Sequence, residues 1–156
     1  MIQEILKRHE GLRLSPYICP AGHKTIGYGW NLDVNHPPED IAAYLRMNGC
    51  ITEDMADRLL AISTETATDN CRDMFDDFDQ LSENRRAGLV DLVFNMGVTK
   101  LIKGFPSFYR AVCEGDWNRA ADELMFANGL TKDRLSDYYK QVGDRAIEVV
   151  RLIREG

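Results

Sequence analysis

Three residues near the start of the chain have the types and the spacing to act together on one bond. Glu10 is followed nine residues later by Cys19, and Thr25 comes six residues after that. A carboxyl group that faces a thiol and a hydroxyl across a small gap leaves room for a sugar–sugar bond or a water molecule. The local structure around these residues decides whether they meet.

The segment that carries Cys19 and Thr25 has the pattern of a β-hairpin. β-Branched and aromatic residues lie on both sides of Pro20, Ala21 and Gly22, which favour a tight turn. With the loop at 20–22, the register predicts that Cys19 pairs with His23 and Tyr17 with Thr25. Because side chains alternate between the faces of a strand, Cys19 and Thr25 then share one face as diagonal neighbours, about 7–8 Å apart.

A short helix that starts at Ile2 ends near Gly11, which places Glu10 beside the hairpin. The same three residues also fit a purely structural interpretation. Glu10 would then be a surface acid, Cys19 a buried small residue and Thr25 an ordinary strand residue. Spacing alone does not separate the two interpretations.

The rest of the chain has the periodicity of helices. The cap candidates Thr52 and Ser82 and the apolar stripes predict helices at about 37–48, 53–75 and 83–96, followed by shorter ones at about 106–114, 117–127, 134–141 and 144–154. We therefore predict a mostly helical α+β fold over residues 1–156. It would have a small N-terminal lobe with the hairpin (about 1–50), a connecting helix (about 53–75) and a helical lobe (about 76–156).

Charge and composition narrow the classes of function. The net charge is −6, and the whole excess lies in residues 51–100, where eleven acidic residues outnumber five basic ones. Nucleic-acid binding needs a basic surface, so we expect no nucleic-acid partner. The longest apolar run, Ile41 to Leu45, is far too short to span a bilayer, and we expect no stable membrane association.

The four cysteines contain no CxxC pair and are spread along the chain. We expect free thiols, with Cys50, Cys71 and Cys113 as small core residues. A zinc site built from His9, Glu10, Cys19 and His23 is a weaker alternative, because the chain lacks a second strong ligand pair. We expect no metal and no cofactor.

The residues around the three candidates resemble the signature of phage-type lysozymes (endolysins). His9-Glu10-Gly11-Leu12-Arg13-Leu14, Cys19-Pro20 and Thr25-Ile26-Gly27-Tyr28-Gly29 match a family pattern of Glu, eight residues, Asp or Cys, five residues, and Thr. Further similarity follows at residues 84–97, 104–105, 115–121 and 141–145, while residues 31–80 match poorly.

The resemblance implies the lysozyme-like fold and a muramidase that hydrolyses the β-1,4 bond between N-acetylmuramic acid and N-acetylglucosamine in peptidoglycan. Glu10, the only acid in the motif, would be the general acid. Cys19 stands where other members have Asp, and Thr25 would hold the attacking water. We expect Cys19 to stabilise charge or to attack the anomeric carbon. Its pKa would be raised by Glu10 and by burial, and lowered by Arg145.

The resemblance also implies roles for three residues of the helical lobe. Phe94 and Asn95 fall where the family's substrate cleft is lined, and Arg145 falls where an arginine orients the catalytic Glu. Taken alone, a phenylalanine at position 94 would more often be a core residue.

Two alternatives to the hydrolase remain open. A lytic transglycosylase manages with one acid and gives anhydro-muramic products, and the missing Asp favours it. The second alternative is a non-catalytic descendant that binds the cell wall, although such a binder has no need for Glu10 beside a hairpin.

The resemblance implies peptidoglycan as the partner and a holin-type pore for release, since the first ten residues lack the apolar segment of a signal peptide. We expect a monomer that stays in the host cytoplasm before lysis and acts on the cell wall after release.

Overall fold

The computed structural model describes all residues from 1 to 156 and confirms the predicted α+β fold, mostly helical with a small N-terminal sheet. The strands are β1 (Arg13–Ile18), β2 (Lys24–Gly27) and β3 (Trp30–Asn31), and they form one antiparallel sheet in the order β1-β2-β3. The helices are α1 (Ile2–Glu10), α2 (Glu39–Asn48), α3 (Glu53–Met74), α4 (Glu83–Met96), α5 (Val98–Gly104), α6 (Pro106–Cys113), α7 (Trp117–Met125), α8 (Asp137–Val142) and α9 (Asp144–Glu155). No helix has both the length and the apolar composition needed to cross a membrane.

The chain forms two compact units, Met1–Thr66 and Ala67–Gly156, which divide within α3. The lobe boundaries expected from the sequence stay a prediction.

The first unit packs α1, the sheet, α2 and the start of α3 around one apolar core. A salt bridge and a backbone hydrogen bond connect its elements. The Lys7 ammonium lies 2.8 Å from a carboxylate oxygen of Asp57, and the Ile51 amide donates to the Leu14 carbonyl at 2.8 Å. The core side chains include Ile5, Leu6, Ile26, Tyr28, Trp30, Ile41, Ile51 and Leu59.

The hairpin has the register that the sequence predicts. Tyr17 is the cross-strand partner of Thr25, and the Cys19 amide donates to the His23 carbonyl at 2.9 Å. The turn closes with the Gly22 amide donating to the Cys19 carbonyl at 2.8 Å. An irregularity between Arg13 and Tyr17 interrupts the ladder at the other end of β1.

Helix ends were the most predictable features. The Thr52 and Ser82 hydroxyls accept from the amides of Met55 and Arg85, so both are N-caps. Gly49, with φ of +71°, ends α2 in the left-handed conformation.

The sequence analysis missed two elements and misplaced the start of a third. It gave no separate strand for β3 and no helix for α5. It started α8 at about residue 134, but Leu135 forms a β-bridge with Phe126 and Ser136 is the N-cap, so the helix begins at Asp137. The apolar periodicity that predicts the helix at about 53–75 places Ile62 on its buried side, but Ile62 is 38% exposed.

The second unit is a bundle in which α9 packs against both α4 and α7. Gly88, in the middle of α4, faces α9. A Cβ placed on it would lie 3.0 Å from Cδ1 of Ile153, so the two helices approach closely here because residue 88 has no side chain. The largest buried side chains include Phe78, Leu89, Leu92, Phe108, Leu124, Val149 and Ile153.

The expectation of three core cysteines was right for one of them. Cys71 is fully buried, and burial raises its pKa to about 12. Cys113, the last residue of α6, is exposed, and Cys50 is half-buried beyond the end of α2. Sequence periodicity predicts only approximately which residues are buried near the end of a helix. Cys50 and Cys113 both lie near helix ends, so their burial was predicted wrongly.

Candidate active site

Glu10 is the last residue of α1, and its carboxyl group lies against the turn that links β2 to β3. Gly11 caps the helix with φ of +70°, and its amide donates to the Lys7 carbonyl at 3.1 Å. A Cβ built on Gly29 would lie 3.2 Å from Oε2 of Glu10 and 3.7 Å from its Cδ. The half-buried Glu10 carboxyl is therefore in near contact with the backbone of residue 29.

Gly29 borders the candidate site, although its place in the motif assigned no role to it. Its φ is +87°, a conformation that side chains with a Cβ rarely adopt, and the space that a Cβ would need is partly taken by Glu10. The Gly27-Tyr28-Gly29 sequence, two glycines around a buried aromatic residue, was the signal for such a turn.

Cys19 and Thr25 meet at the other end of the hairpin. Thr25 is only 4% exposed, and its hydroxyl donates to the His23 carbonyl at 3.0 Å. The same hydroxyl is within hydrogen-bonding reach of the Cys19 thiol. Since a hydroxyl has one proton to donate, it serves either the carbonyl or an ionised sulfur at any moment.

The turn lowers the pKa of Cys19. Hydrogen bonding from the His23 backbone has the largest effect, burial opposes it, and the Thr25 hydroxyl and the amides of Ala21 and Gly22 add to the lowering. The sequence predicts that Glu10 and burial raise this pKa and that Arg145 lowers it; burial does raise it, but the net shift is downward. The main cause is instead hydrogen bonding from the backbone of the turn, which favours the thiolate.

Tyr17 is a second residue that the sequence analysis left without a role. It lies opposite Thr25 in the sheet, and the Arg13 guanidinium is 4.7 Å from the centre of its ring. Burial raises the pKa of Tyr17, and the negative charges of Glu10 and Cys19 raise it further, against the effect of Arg13. The phenol therefore stays protonated within electrostatic range of both candidate catalytic side chains.

The other three predicted residues belong to the second unit. Phe94 is half-buried and Asn95 exposed, both in the last turn of α4. Arg145 lies in the first turn of α9, where its Nε is 3.0 Å and its Nη2 3.2 Å from the two carboxylate oxygens of Asp91. Asp91 is fully buried, and the sequence analysis did not single it out.

No group of three or more His, Cys, Asp or Glu side chains in the structure is arranged to hold a metal ion. The zinc alternative built from His9, Glu10, Cys19 and His23 gains no support from this arrangement.

The first unit has an acidic side chain at a helix end beside a small antiparallel hairpin, and the second unit is a helical bundle. The resemblance seen in the sequence predicts both features. The model of the phage lysozyme family matches residues 7–137, most of the chain. The chain belongs to the phage lysozyme family, and with it to the hydrolases that degrade peptidoglycan. The matched range contains Glu10, Cys19, Thr25, Phe94 and Asn95, while Arg145 lies beyond its end.

The chain is also similar in sequence to two curated proteins, and the first of them is named as an endolysin. The chain is 28% identical to an endolysin of Acyrthosiphon pisum secondary endosymbiont phage 1 over 121 residues, which cover 78% of this chain and 73% of that protein. It is also 28% identical to the pre-baseplate central spike protein Gp5 of Enterobacteria phage T4. That alignment covers 98% of this chain but only 27% of the spike protein.

The contact between Glu10 and Gly29 leads to a first prediction. Gly29→Ala should lower lytic activity about 10²-fold, because a Cβ displaces the carboxyl and a misplacement of about 1 Å at a reacting group has an effect of that order. Turbidity clearing of permeabilised Gram-negative cells measures the rate. Gly49→Ala is the matched control: its φ is +71°, and nothing lies within 4 Å of its Cβ position.

Both alanine variants strain the backbone and should lose about 1–3 kcal/mol of unfolding free energy. Only Gly29→Ala should lose activity while folded. Equal activity in the two variants would contradict the positioning role of Gly29.

The second prediction concerns the pH dependence of Cys19 reactivity. Because its pKa is lowered, the thiolate forms at lower pH than in an ordinary cysteine, and alkylation by iodoacetamide should reach half its maximal rate below the usual pH of about 8.5. A Cys50→Ser, Cys113→Ser background isolates the signal, since Cys71 is buried with a pKa raised to about 12.

In that background, Thr25→Val removes one hydrogen bond to the sulfur, and the midpoint should move to higher pH. Thr25→Ser keeps the hydroxyl and should leave the midpoint near that of the parent. A midpoint that does not respond to Thr25→Val would show that the backbone amides alone lower the pKa.

Proposed function

We propose that this protein is an endolysin that hydrolyses the β-1,4 bond between N-acetylmuramic acid and N-acetylglucosamine in peptidoglycan, with Glu10 as the general acid. The observation that carries the proposal is the placement of the Glu10 carboxyl against Gly29, in the same compact unit as the Cys19 and Thr25 turn. Membership of the phage lysozyme family supports the class of substrate.

In the proposed reaction, Glu10 gives its proton to the oxygen of the glycosidic bond as the bond to the anomeric carbon breaks. The positive charge that develops on the sugar needs a negative group on the other side of the ring. Cys19 occupies the hairpin position for this group, and the lowered pKa of its thiol favours the charged form.

Cys19 acts in one of two ways in this scheme. As a thiolate it stabilises the developing charge while water attacks, or it forms a covalent bond to the anomeric carbon that water then breaks. In both cases one water is consumed: its oxygen and one of its protons form the new hydroxyl on the anomeric carbon, its other proton restores Glu10, and the leaving oxygen keeps the proton that Glu10 gave it. Thr25 holds the attacking water through a lone pair of its hydroxyl oxygen, since the one proton of that hydroxyl is donated to the His23 carbonyl or to the sulfur.

We further propose Phe94, Asn95 and Arg145 as substrate-binding or positioning residues. Phe94 and Asn95 are accessible at the end of α4, which suits contacts with a polymer. The Arg145 guanidinium has a defined orientation through its two hydrogen bonds to Asp91.

One observation favours a second function, that of a lytic transglycosylase. The hairpin offers a thiol where the two-carboxylate scheme uses a second acid, and a transglycosylase needs only one. The products separate the two reactions: hydrolysis leaves a reducing sugar end and adds the mass of one water, while transglycosylation leaves an anhydro-muramic end.

The relative named endolysin supports a role in the release of phage from the host cell. We propose that the protein is a monomer, that it is held in the host cytoplasm before lysis, and that a holin-type pore gives it access to the cell wall.

A third prediction tests the proton donor. Glu10→Gln keeps the size of the side chain and removes the proton, so the rate of bond cleavage should fall 10²–10⁴-fold, the usual contribution of general acid catalysis. Mass spectrometry of products from purified peptidoglycan gives both the rate and the bond cleaved. Glu4→Gln, an exposed change in the first turn of the same helix, is the control and should keep the parental rate.

A Glu10→Gln variant that folds and retains more than about a tenth of the parental rate would remove Glu10 from the mechanism. Wall binding without cleavage by the parent protein would instead favour a non-catalytic descendant.

A fourth prediction tests the role of Cys19. Cys19→Asp should keep activity, because it restores a negative group at this position, whereas Cys19→Ser should lose most of it, because a serine hydroxyl does not ionise at neutral pH. The Cys50→Ser, Cys113→Ser protein is the control for loss of a thiol as such. Near-parental lysis by Cys19→Ser would mean that Glu10 and a water held by Thr25 are sufficient.

A further inference from the structure

A buried carboxylate in the second unit has no role in the reaction described so far. Asp91 lies in the apolar centre of α4 with no exposed surface, between Val90 and Leu92, which are buried as well. Removing a carboxylate from water is costly unless the group is paired and hydrogen-bonded. The pairing of Asp91 is therefore the feature to explain.

Asp91 is paired with Arg145 in a two-bond fork. Nε of Arg145 lies 3.0 Å from one carboxylate oxygen and Nη2 lies 3.2 Å from the other. The Arg145 side chain is 10% exposed, so the pair is almost completely removed from solvent. A fork of this kind fixes the plane of the guanidinium as well as its position.

Stability alone is a weak explanation for such a pair. The desolvation of two buried charges is often as large as their attraction, and apolar residues of similar size frequently give an equally stable or more stable protein. What the pair does provide is a single orientation for a long side chain that otherwise samples many rotamers.

Tyr138 of α8 completes the surroundings of the pair. Its side chain is 5% exposed, and its hydroxyl is buried without a hydrogen-bond partner. Burial raises the pKa of Tyr138 and the Asp91 charge adds to this, against the opposing effect of Arg145. The phenol is therefore close enough to feel both charges, yet it does not replace Arg145 as a donor to the carboxylate.

We propose that Asp91 is a positioning residue for peptidoglycan cleavage, which holds the Arg145 guanidinium in the one orientation that the reaction uses. The inference rests on the proposed function, since it acts through Arg145. Asp91 would then act in the reaction although it is fully buried.

A double-mutant cycle on activity tests the inference. The variants are Asp91→Asn, Arg145→Gln and the two changes together, assayed on soluble peptidoglycan fragments so that kcat and KM are measured separately. We expect each single change to lower kcat about tenfold or more with KM within about threefold. The double variant should be no slower than Arg145→Gln alone, because residues that act as one unit are non-additive.

Two further variants separate positioning from folding. Arg145→Lys keeps a positive charge beside Asp91 but cannot form the fork, and it should lower kcat while remaining folded by circular dichroism. Asp122→Asn is the matched control. It removes a less buried carboxylate that pairs with Lys132 and Arg154 in the same unit, and it should leave kcat unchanged.

The possible results distinguish this inference from the function on which it rests. If Glu10→Gln is as active as the parent, the proposed function fails. If Glu10→Gln is inactive but Arg145→Gln is fully active, Arg145 has no part in the reaction and the inference is overturned. It is also overturned if Arg145→Lys keeps the parental kcat, or if Asp91→Asn lowers kcat equally with and without Arg145.

Discussion

The Glu10 carboxyl has a defined place in this molecule because residue 29 has no side chain. A helix end and a turn between two short strands approach until a carboxylate oxygen is 3.2 Å from where a Cβ would be. The apolar core holds α1 and the β2–β3 turn close together, because Leu6 of α1 and Ile26 of β2 are both buried in it. Movement of either element would change the position of the acid relative to the hairpin.

The protein handles two negative groups in different ways. At Cys19 the backbone amides of a tight turn favour the charge, with a side-chain hydroxyl in support. At Asp91 the Arg145 guanidinium pairs with the carboxylate through a fork. The first arrangement leaves the sulfur partly accessible and able to react, whereas the second encloses the carboxylate and removes it from solvent.

The features that could be predicted from the sequence are those that depend on residues close together in the chain. The hairpin register, the caps at Thr52 and Ser82 and the helix end at Gly11 depend on residues close in the chain, and each was placed correctly. The fork of Asp91 joins residues 54 positions apart, and no local pattern marks a buried aspartate in an apolar stripe.

The role of Gly29 also depends on a contact that is distant in sequence, with the last residue of α1. The motif marked the glycine but not what it faces. The pKa of Cys19 was predicted from neighbouring charges and burial without the backbone amides, because the direction of amides in a turn follows from dihedral angles that the residue types only suggest. Helix α5 was missed because its seven residues are too few for a clear period.

The close approach of α4 and α9 at Gly88 also limits which residues can replace this glycine. A glycine in a helix interior is less favourable than alanine by about 1 kcal/mol, so drift towards alanine is expected wherever there is space. Here the 3.0 Å distance from Cδ1 of Ile153 removes that space. An alanine at position 88 therefore requires the side chain of residue 153 to shift by a few tenths of an ångström or to become smaller, because Cγ1 of Ile153 at 3.2 Å and Cβ of Leu152 at 3.4 Å are also close to the same position.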